Sequence, residues 1–443
     1  MANVVTNIFR IPDLRKRILF TLAIFVIYRI GAHIPIPGIN VEALNAYFSE
    51  SQASGFMDFF DIFSGGALKR FTIFALGIMP YISSSIIVDL LKVVFPHLEA
   101  LSKEGHEGQK KLNQYVKYGT VLLCLIQSLA LTKWMQTMRG SGVSVVPEDS
   151  GVTFIILSVV AITTGTIVLM WFGEMITERG IGNGISMIIM AGIVVRAPQA
   201  VLQTLKKIGD TGEPIVGIIL IGIFILIIAA SILLTLGARK IPLQYGKRMV
   251  GGNMTQQTSQ FLPLRVNVAG VIPIIFASAL LMFPSQIINM LGGSKYVFLN
   301  QLQYWLSPGQ IPYVVLYAAL IIFFCYFYTA IRFNPSDIAE NLKKYGGFIP
   351  GIRPGQNTAE YITYILNRIT LSGSIFLAFI AIVPDFILKI WPEQVDPEMA
   401  YLFGGTSLLI IVGVTLDTLK QIESQLLMRH YEGFTSKRIR GRR

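Results

Sequence analysis

Charge is scarce in this chain. Only 14% of its 443 residues are Asp, Glu, Lys or Arg, against 53% that are hydrophobic, and so few charges cannot cover a soluble protein of this length. A polytopic membrane protein follows, and no long polar block interrupts the apolar runs to mark a separate soluble domain. Cysteine is scarcer still. Cys124 and Cys325 each lie inside an apolar run, which excludes a disulfide framework and supports no thiolate metal site. His33, His97, His106 and His430 have no metal-ligand spacing. There is no GxxxxGK[ST] phosphate loop, and GIGNG at Gly180–Gly184 lacks the flanking strand that a dinucleotide fingerprint needs. It reads instead as a loop and helix start, with Asn183 and the glycines allowing a sharp entry. Neither a cofactor nor a metal is expected, and any energy from nucleotide hydrolysis has to come from another polypeptide. The small-residue pattern of a cleavable signal is missing after the first apolar run, which therefore stays as a span.

What is present is a succession of apolar runs. A spanning helix needs about 20 mostly apolar residues, and ten candidates fall near 18–35, 71–95, 116–136, 152–172, 182–201, 215–237, 268–291, 312–331, 369–390 and 400–421. The fold class expected is an all-α polytopic membrane protein. Lys and Arg outnumber Asp and Glu by 37 to 25, a surplus that fits nucleic acid, anionic lipid, or cytoplasmic loops obeying the positive-inside rule. Their distribution favours the last. Arg10, Arg15, Lys16 and Arg17 precede the first run, Lys103, Lys110, Lys111 and Lys117 follow the second, and Arg239, Lys240, Lys247, Arg248 and Arg265 follow the sixth. The eighth connection adds Arg332, Lys343, Lys344, Arg353 and Arg368, and the tail ends KRIRGRR. If every run spans, all of these share one side and both termini are cytoplasmic. The ninth connection, with Asp385, Glu393, Asp396 and Glu398 against Lys389, lies opposite. Ten runs divide near residue 209 into five and five, giving an N-terminal half over 1–208 and a C-terminal half over 209–443; because five is odd, similar halves have to be inverted in the membrane. Such repeats place the working path at their interface.

One stretch resists the pattern. FMDFFDIFSGGALKR, Phe56–Arg70, begins as an apolar helix, carries Asp58 and Asp61, and breaks at Ser64-Gly65-Gly66. Phe56 to Phe63 gives about 12 Å of helix at 1.5 Å per residue, too short for a hydrocarbon core of about 30 Å. Irregular backbone at membrane depth survives only inside protein or along a wet cavity. The stretch is either a surface helix outside the membrane or a re-entrant half-helix on a glycine hinge, which is the form a movable stopper takes.

The apolar runs themselves carry little charge at mid-depth: Arg29, Asp89 and Asp417 fall toward their ends, an argument against a proton- or sodium-coupled pump. Several are rich in Ile and interrupted by small or breaking residues, as in GIMPYISSSII (77–87), GNGISMIIMAG (182–192) and VAGVIPIIFAS (268–278). Most such isoleucines are ordinary packing or lipid-facing residues, while Pro80 and Pro273 remove helix hydrogen bonds and loosen packing. GGFIPGIRPGQN at 346–357 holds Arg353 between Gly-Pro turns; it is a rigid surface turn or a docking contact that loses little entropy on binding. A channel, a small-solute secondary transporter with inverted repeats, and a membrane-embedded enzyme are the readings to weigh. The missing mid-depth charge and the hinge-broken half-helix favour the channel.

RIGAHIPIPGIN, FSGGALKRFTIFALGIMPYISSSII, EGHEGQKKLNQYVKYGT, GEMITERGIGNGIS, LPLRVNVAGVIPIIFAS, NPSDIAENLKKYGGFIPGIRPGQNTAEYI and FGGTSLLI together resemble, in order and over residues 10–435, the SecY family of bacterial protein-translocation channel subunits. The resemblance implies ten spans in two five-span halves that close around an hourglass pore, through which unfolded secretory chains pass and from which apolar segments leave sideways into lipid. It implies a pore ring of Ile78, Ile82, Ile185, Ile189, Ile275 and Ile410, and a plug that includes Phe56, Phe59, Phe60, Asp61, Phe63, Gly65 and Gly66. A lateral gate is implied between spans two and three on one side and seven and eight on the other. Lys247, Arg248 and Arg353 match positions that dock the motor SecA or a translating ribosome, although Gly251-Gly252-Asn253 replaces basic residues common at that tip. SecE and SecG are implied as accessory subunits, and the bacterial cytoplasmic membrane as the location.

Overall fold

The computed structural model describes residues 11–50, 61–140, 143–147, 151–211, 214–245, 249–250, 253–254, 259–290, 301–302, 304–307 and 309–440. Phe56, Phe59, Phe60, Lys247 and Arg248 lie outside these residues. The helices are α1 (Pro12–Gly31), α2 (Val41–Glu50), α3 (Met79–Val94), α4 (Pro96–Lys103), α5 (His106–Thr137), α6 (Gly151–Arg179), α7 (Gly184–Thr211), α8 (Pro214–Leu236), α9 (Ile272–Met290), α10 (Ile311–Arg332), α11 (Pro335–Lys344), α12 (Gln356–Ile390), α13 (Pro397–Phe403) and α14 (Gly405–Arg440). Each expected run carries a helix. Among the described residues seven segments are long and apolar enough to cross a membrane, or eight if α3 and α4, bent by 103°, form one broken span. One of the others falls short for a visible reason: α1 carries Arg15, Lys16, Arg17 and Arg29 within its 20 residues. The outward faces are themselves apolar, with Ile218 71% and Leu233 73% exposed on α8, as lipid rather than water requires.

The second run is helical only from Met79. Residues 71–78 form turns, and their backbone is satisfied by the segment after α1: Ile36 N–H donates to the Phe71 carbonyl at 3.1 Å and Ile73 N–H to the Ile34 carbonyl at 3.3 Å. Pro80 lies in the first turn of α3 and Pro273 is the second residue of α9. A proline there gives up an N–H that has no intrahelical partner anyway, so these prolines start their helices instead of loosening them. The last run is split between α13 and α14. A Cβ on Gly404 would lie 2.3 Å from Pro384 Cγ, and one on Gly405 2.9 Å from Ala381 Cα; the bare glycines let α12 pass in contact, the small-residue packing that membrane helices rely on.

The sixth connection departs from an all-helical reading. β1 (Ala238–Tyr245) pairs antiparallel with β2 (Ser259–Arg265) and with β3 (Gly347–Phe348), so β1 is central. ARKIPLQY alternates to bury Ile241 and Leu243 over Leu264, Ile349, Ile362 and Ile365. This sheet joins the sixth and eighth connections. Near the expected division at 208, α7 runs on to Thr211 and α8 begins at Pro214. The largest apolar cluster draws on α1, α6, α7, α8, α13 and α14 together, and a second unites α8, α9, α10, α12 and α14.

Candidate functional site

Ile78, at the entry to α3, Ile189 of α7 and Ile410 of α14 are buried in the largest apolar cluster, and Ile82, Ile185 and Ile275 are partly buried against it. Ile185 and Ile189, four residues apart, share a face of α7, and Ile78 at the cap of α3 is set beside Ile82, whose N–H donates to the Ile78 carbonyl at 3.1 Å. Side chains from both ends of the sequence thus meet in one water-poor knot.

The segment after Phe60 lies on the same knot. Residues 61–64 are helical and 65–70 turn, with Ile62 fully buried and Phe63 and Ala67 in the cluster. Asp61 is fully buried. Its Oδ1 accepts the Lys69 N–H at 3.0 Å, so the carboxylate folds the turn on itself. From α1, Tyr28 donates its hydroxyl to the Ser64 carbonyl at 3.0 Å and Arg29 Nη1 donates to the Gly65 carbonyl at 2.8 Å. On the other flank Gly65, at φ +67°, packs on α7: its Cβ would lie 3.1 Å from Gly192 Cα, and a Cβ on Gly192 would lie 3.0 Å from the Phe63 carbonyl oxygen. Backbone against backbone is possible here only because both residues lack a side chain. If this segment is the plug that the resemblance implies, Gly192→Val is expected to push it off α7 and raise resting ion conductance severalfold in planar bilayers; unchanged conductance contradicts that role.

The SecY family model matches residues 72–419. A relative from Streptomyces scabiei called protein translocase subunit SecY is 47% identical over 445 residues, covering 98% of this chain and 100% of its own. The chain belongs to the SecY family. The like-named relative from Escherichia coli K12 is 43% identical over 427 residues, covering 96% of this chain and 94% of its own. Among solved structures, a protein-conducting channel superposes with a TM-score of 0.61 at 18% identity over 93% of this chain and 92% of that one. The Sec61 channel of a canine ribosome–channel complex gives 0.55 at 16% identity, over 93% and 92%. At such identities these structures establish the fold.

Family membership directs attention to the loops. Arg353 is exposed on a turn braced by the Thr358 hydroxyl, which donates to the Arg353 carbonyl at 2.9 Å. The pairing of β3 with β1, Gln244 opposite Phe348 and Tyr245 opposite Gly347, holds that turn beside the β1–β2 hairpin.

The expectation of spans nearly free of interior charge needs correction. Arg196 lies near the middle of α7 and is buried, and Asp385 and Glu398 are buried as well. Arg196 is ion-paired with Asp61, and its Nε stands 2.9 Å from Glu398 Oε1. Asp385 accepts the Tyr401 hydroxyl at 3.1 Å, and Lys207 Nζ meets Asp396 at 2.7 Å. Of the acids assigned to the ninth connection, Asp396 and Glu398 pair with α7 and Asp385 with Tyr401, while Glu393 is exposed. The sequence signal was available: Arg196 interrupts the run IIMAGIVVRAP, and such a charge needs a buried partner.

Proposed function

We infer that this chain is the conducting subunit of a bacterial protein translocase, closed by a collar of six isoleucines and by the segment around Asp61–Gly66 acting as its stopper. It is a multi-pass protein of the inner membrane, a channel and not an enzyme, and it passes unfolded secretory chains and releases apolar segments into lipid. The observation that carries the reading is the convergence of the stopper's Ile62, Phe63 and Ala67 with all six isoleucines in one cluster. An apolar collar expels water and ions by dewetting, yet offers a passing chain no hydrogen bond to hold it.

The reading also gives an opening direction. α9 packs against α3 and α5, and its sequence IPIIFASALLMFPSQIINM has no charged residue, so this seam can part without separating an ion pair. α7 and the start of α13 are instead fastened by Arg196–Glu398 and Lys207–Asp396. Lipid entering the seam sorts segments: Leu-like residues gain a few tenths of a kcal/mol at the bilayer centre, whereas Asp, Lys or Arg costs about 3 kcal/mol. Two five-span halves over 1–208 and 209–443 hinge at this α7–α13 fastening. SecE and SecG complete the channel, SecA or a ribosome docks on the sixth and eighth connections through Lys247, Arg248 and Arg353, and the remaining basic surplus faces anionic lipid.

Vesicles reconstituted with this chain, SecE and SecG, and given SecA and ATP, should protect a secretory precursor from added protease; protection no greater than in vesicles lacking the chain contradicts the function. Arg353→Glu reverses the charge of a braced, exposed docking residue and should slow this transport about tenfold while subunit assembly is unchanged. Transport at the normal rate removes Arg353 from the docking surface.

A further inference from the structure

Arg196 has two acidic partners that belong to different parts of the molecule. Asp61 comes from the stopper, and Glu398 from α13 in the C-terminal part of the chain. The two contacts differ in kind. The guanidinium donates a hydrogen bond to Asp61 Oδ2, whereas Glu398 Oε1 faces Nε at 2.9 Å in an ion pair without a well-directed hydrogen bond. Glu398 is held in place because α13 packs on α7 and Asp396, two residues before it, pairs with Lys207 of the same helix. When the stopper leaves, Asp61 moves toward water, but Arg196 still has an acid beside it. A buried arginine with Asp61 alone would be stranded by that motion, at the high cost of an unpaired buried charge.

We propose that Arg196 is a positioning residue for gating, a latch that seats the stopper through Asp61 and that Glu398 holds charge-balanced while the stopper is away. The proposal rests on reading residues 61–66 as the stopper. Asp61 and Glu398 share one guanidinium, at Nη2 and at Nε, and as like charges they repel each other across it, so they act in opposite directions: Asp61 deepens the closed state and Glu398 eases departure from it. Arg29 lies within electrostatic reach of Arg196 and adds positive charge beside it, which makes a neutral residue at position 61 a poorer occupant of the seat.

The test uses the full chain with SecE and SecG in vesicles, Cys124 and Cys325 replaced by Ala, and Ala67→Cys as reporter. Ala67 is fully buried in the seated stopper, so its labelling by a membrane-impermeant maleimide measures departure. Asp61→Asn is the informative exchange, because the amide oxygen can still accept the Lys69 N–H while the charge is lost. Asp61→Asn and Arg196→Gln should each raise the labelling rate about tenfold, as expected for losing a hydrogen bond to a charged group. The double variant should add nothing further, and Arg196→Lys should restore slow labelling in part. Glu398→Gln should slow labelling below the parent rate, a direction that a merely structural role for the cluster does not give. Glu398→Gln labelling as fast as Asp61→Asn, or independent effects in the double variant, overturns the latch. If the Asp61 and Arg196 variants label at the parent rate while deletion of Phe56–Leu68 opens the channel to ions, the latch is wrong and the stopper stands. If the deletion also leaves the channel tight, the stopper reading falls and the latch with it.

Discussion

Channels lacking Phe56–Leu68 should conduct ions at rest, with the closed-state conductance of reconstituted channels rising at least about tenfold. The deletion removes Asp61, Ile62, Phe63 and Ala67 from the knot of isoleucines and frees Tyr28 and Arg29 of the carbonyls they now bind. Three fixings vanish together: the Arg196–Asp61 and Arg29–Gly65 contacts, which involve a charged group and contribute about 1.5 to 3 kcal/mol each, and the neutral Tyr28–Ser64 hydrogen bond, which contributes about 1 kcal/mol. A tenfold change in population takes only about 1.4 kcal/mol. Folding should survive, since Arg196 keeps Glu398. Conductance equal to that of the intact channel contradicts the stopper assignment.

Replacing Ile82 and Ile189 together with Ser should produce the second large effect, a resting leak severalfold above that of the parent and translocation of chains with weakened apolar signals. Ile189 is buried and Ile82 packs on the same cluster from α3. The exchange at Ile189 removes a side chain whose burial is worth about 2 kcal/mol, that at the partly buried Ile82 removes less, and each installs a hydroxyl that holds water in the constriction, against the dewetting that closes it. The same exchange at Ile218, which faces outward on α8 at 71% exposure, should leave conductance unchanged. A tight double variant places the seal elsewhere.

Much of this arrangement was legible in the sequence because membrane helices announce themselves by length and apolarity. α6, α8, α10 and α12 carry long apolar runs. α1 was legible despite its charges because its basic residues lie toward its two ends, Arg15, Lys16 and Arg17 at one and Arg29 at the other, and leave an uncharged run between them. The β1–β2 hairpin was not, since its eight and seven residues alternate between apolar and polar and fall below any window that seeks a span. The turns at 71–78 were hidden in the same way: their composition is apolar, and only the pairing with Ile34 and Ile36 shows that the helix starts late. The candidate collar was legible through resemblance, because one isoleucine in an apolar helix looks like any other. The charged cluster was missed for a different reason. Arg196 breaks an apolar run and Asp61 stands in the broken helix, but these two and Glu398 are far apart in sequence, and only folding brings the three into one buried site.

The central claim is that a translocating chain passes through the middle of this molecule, and site-specific crosslinking tests it most directly. A secretory chain stalled midway should form disulfides with single cysteines at Ile78, Ile185 and Ile410, in a background without Cys124 and Cys325, and little with one at Ile218 on the outer face of α8. Crosslinks to position 218 with none to the three inner positions would contradict the account.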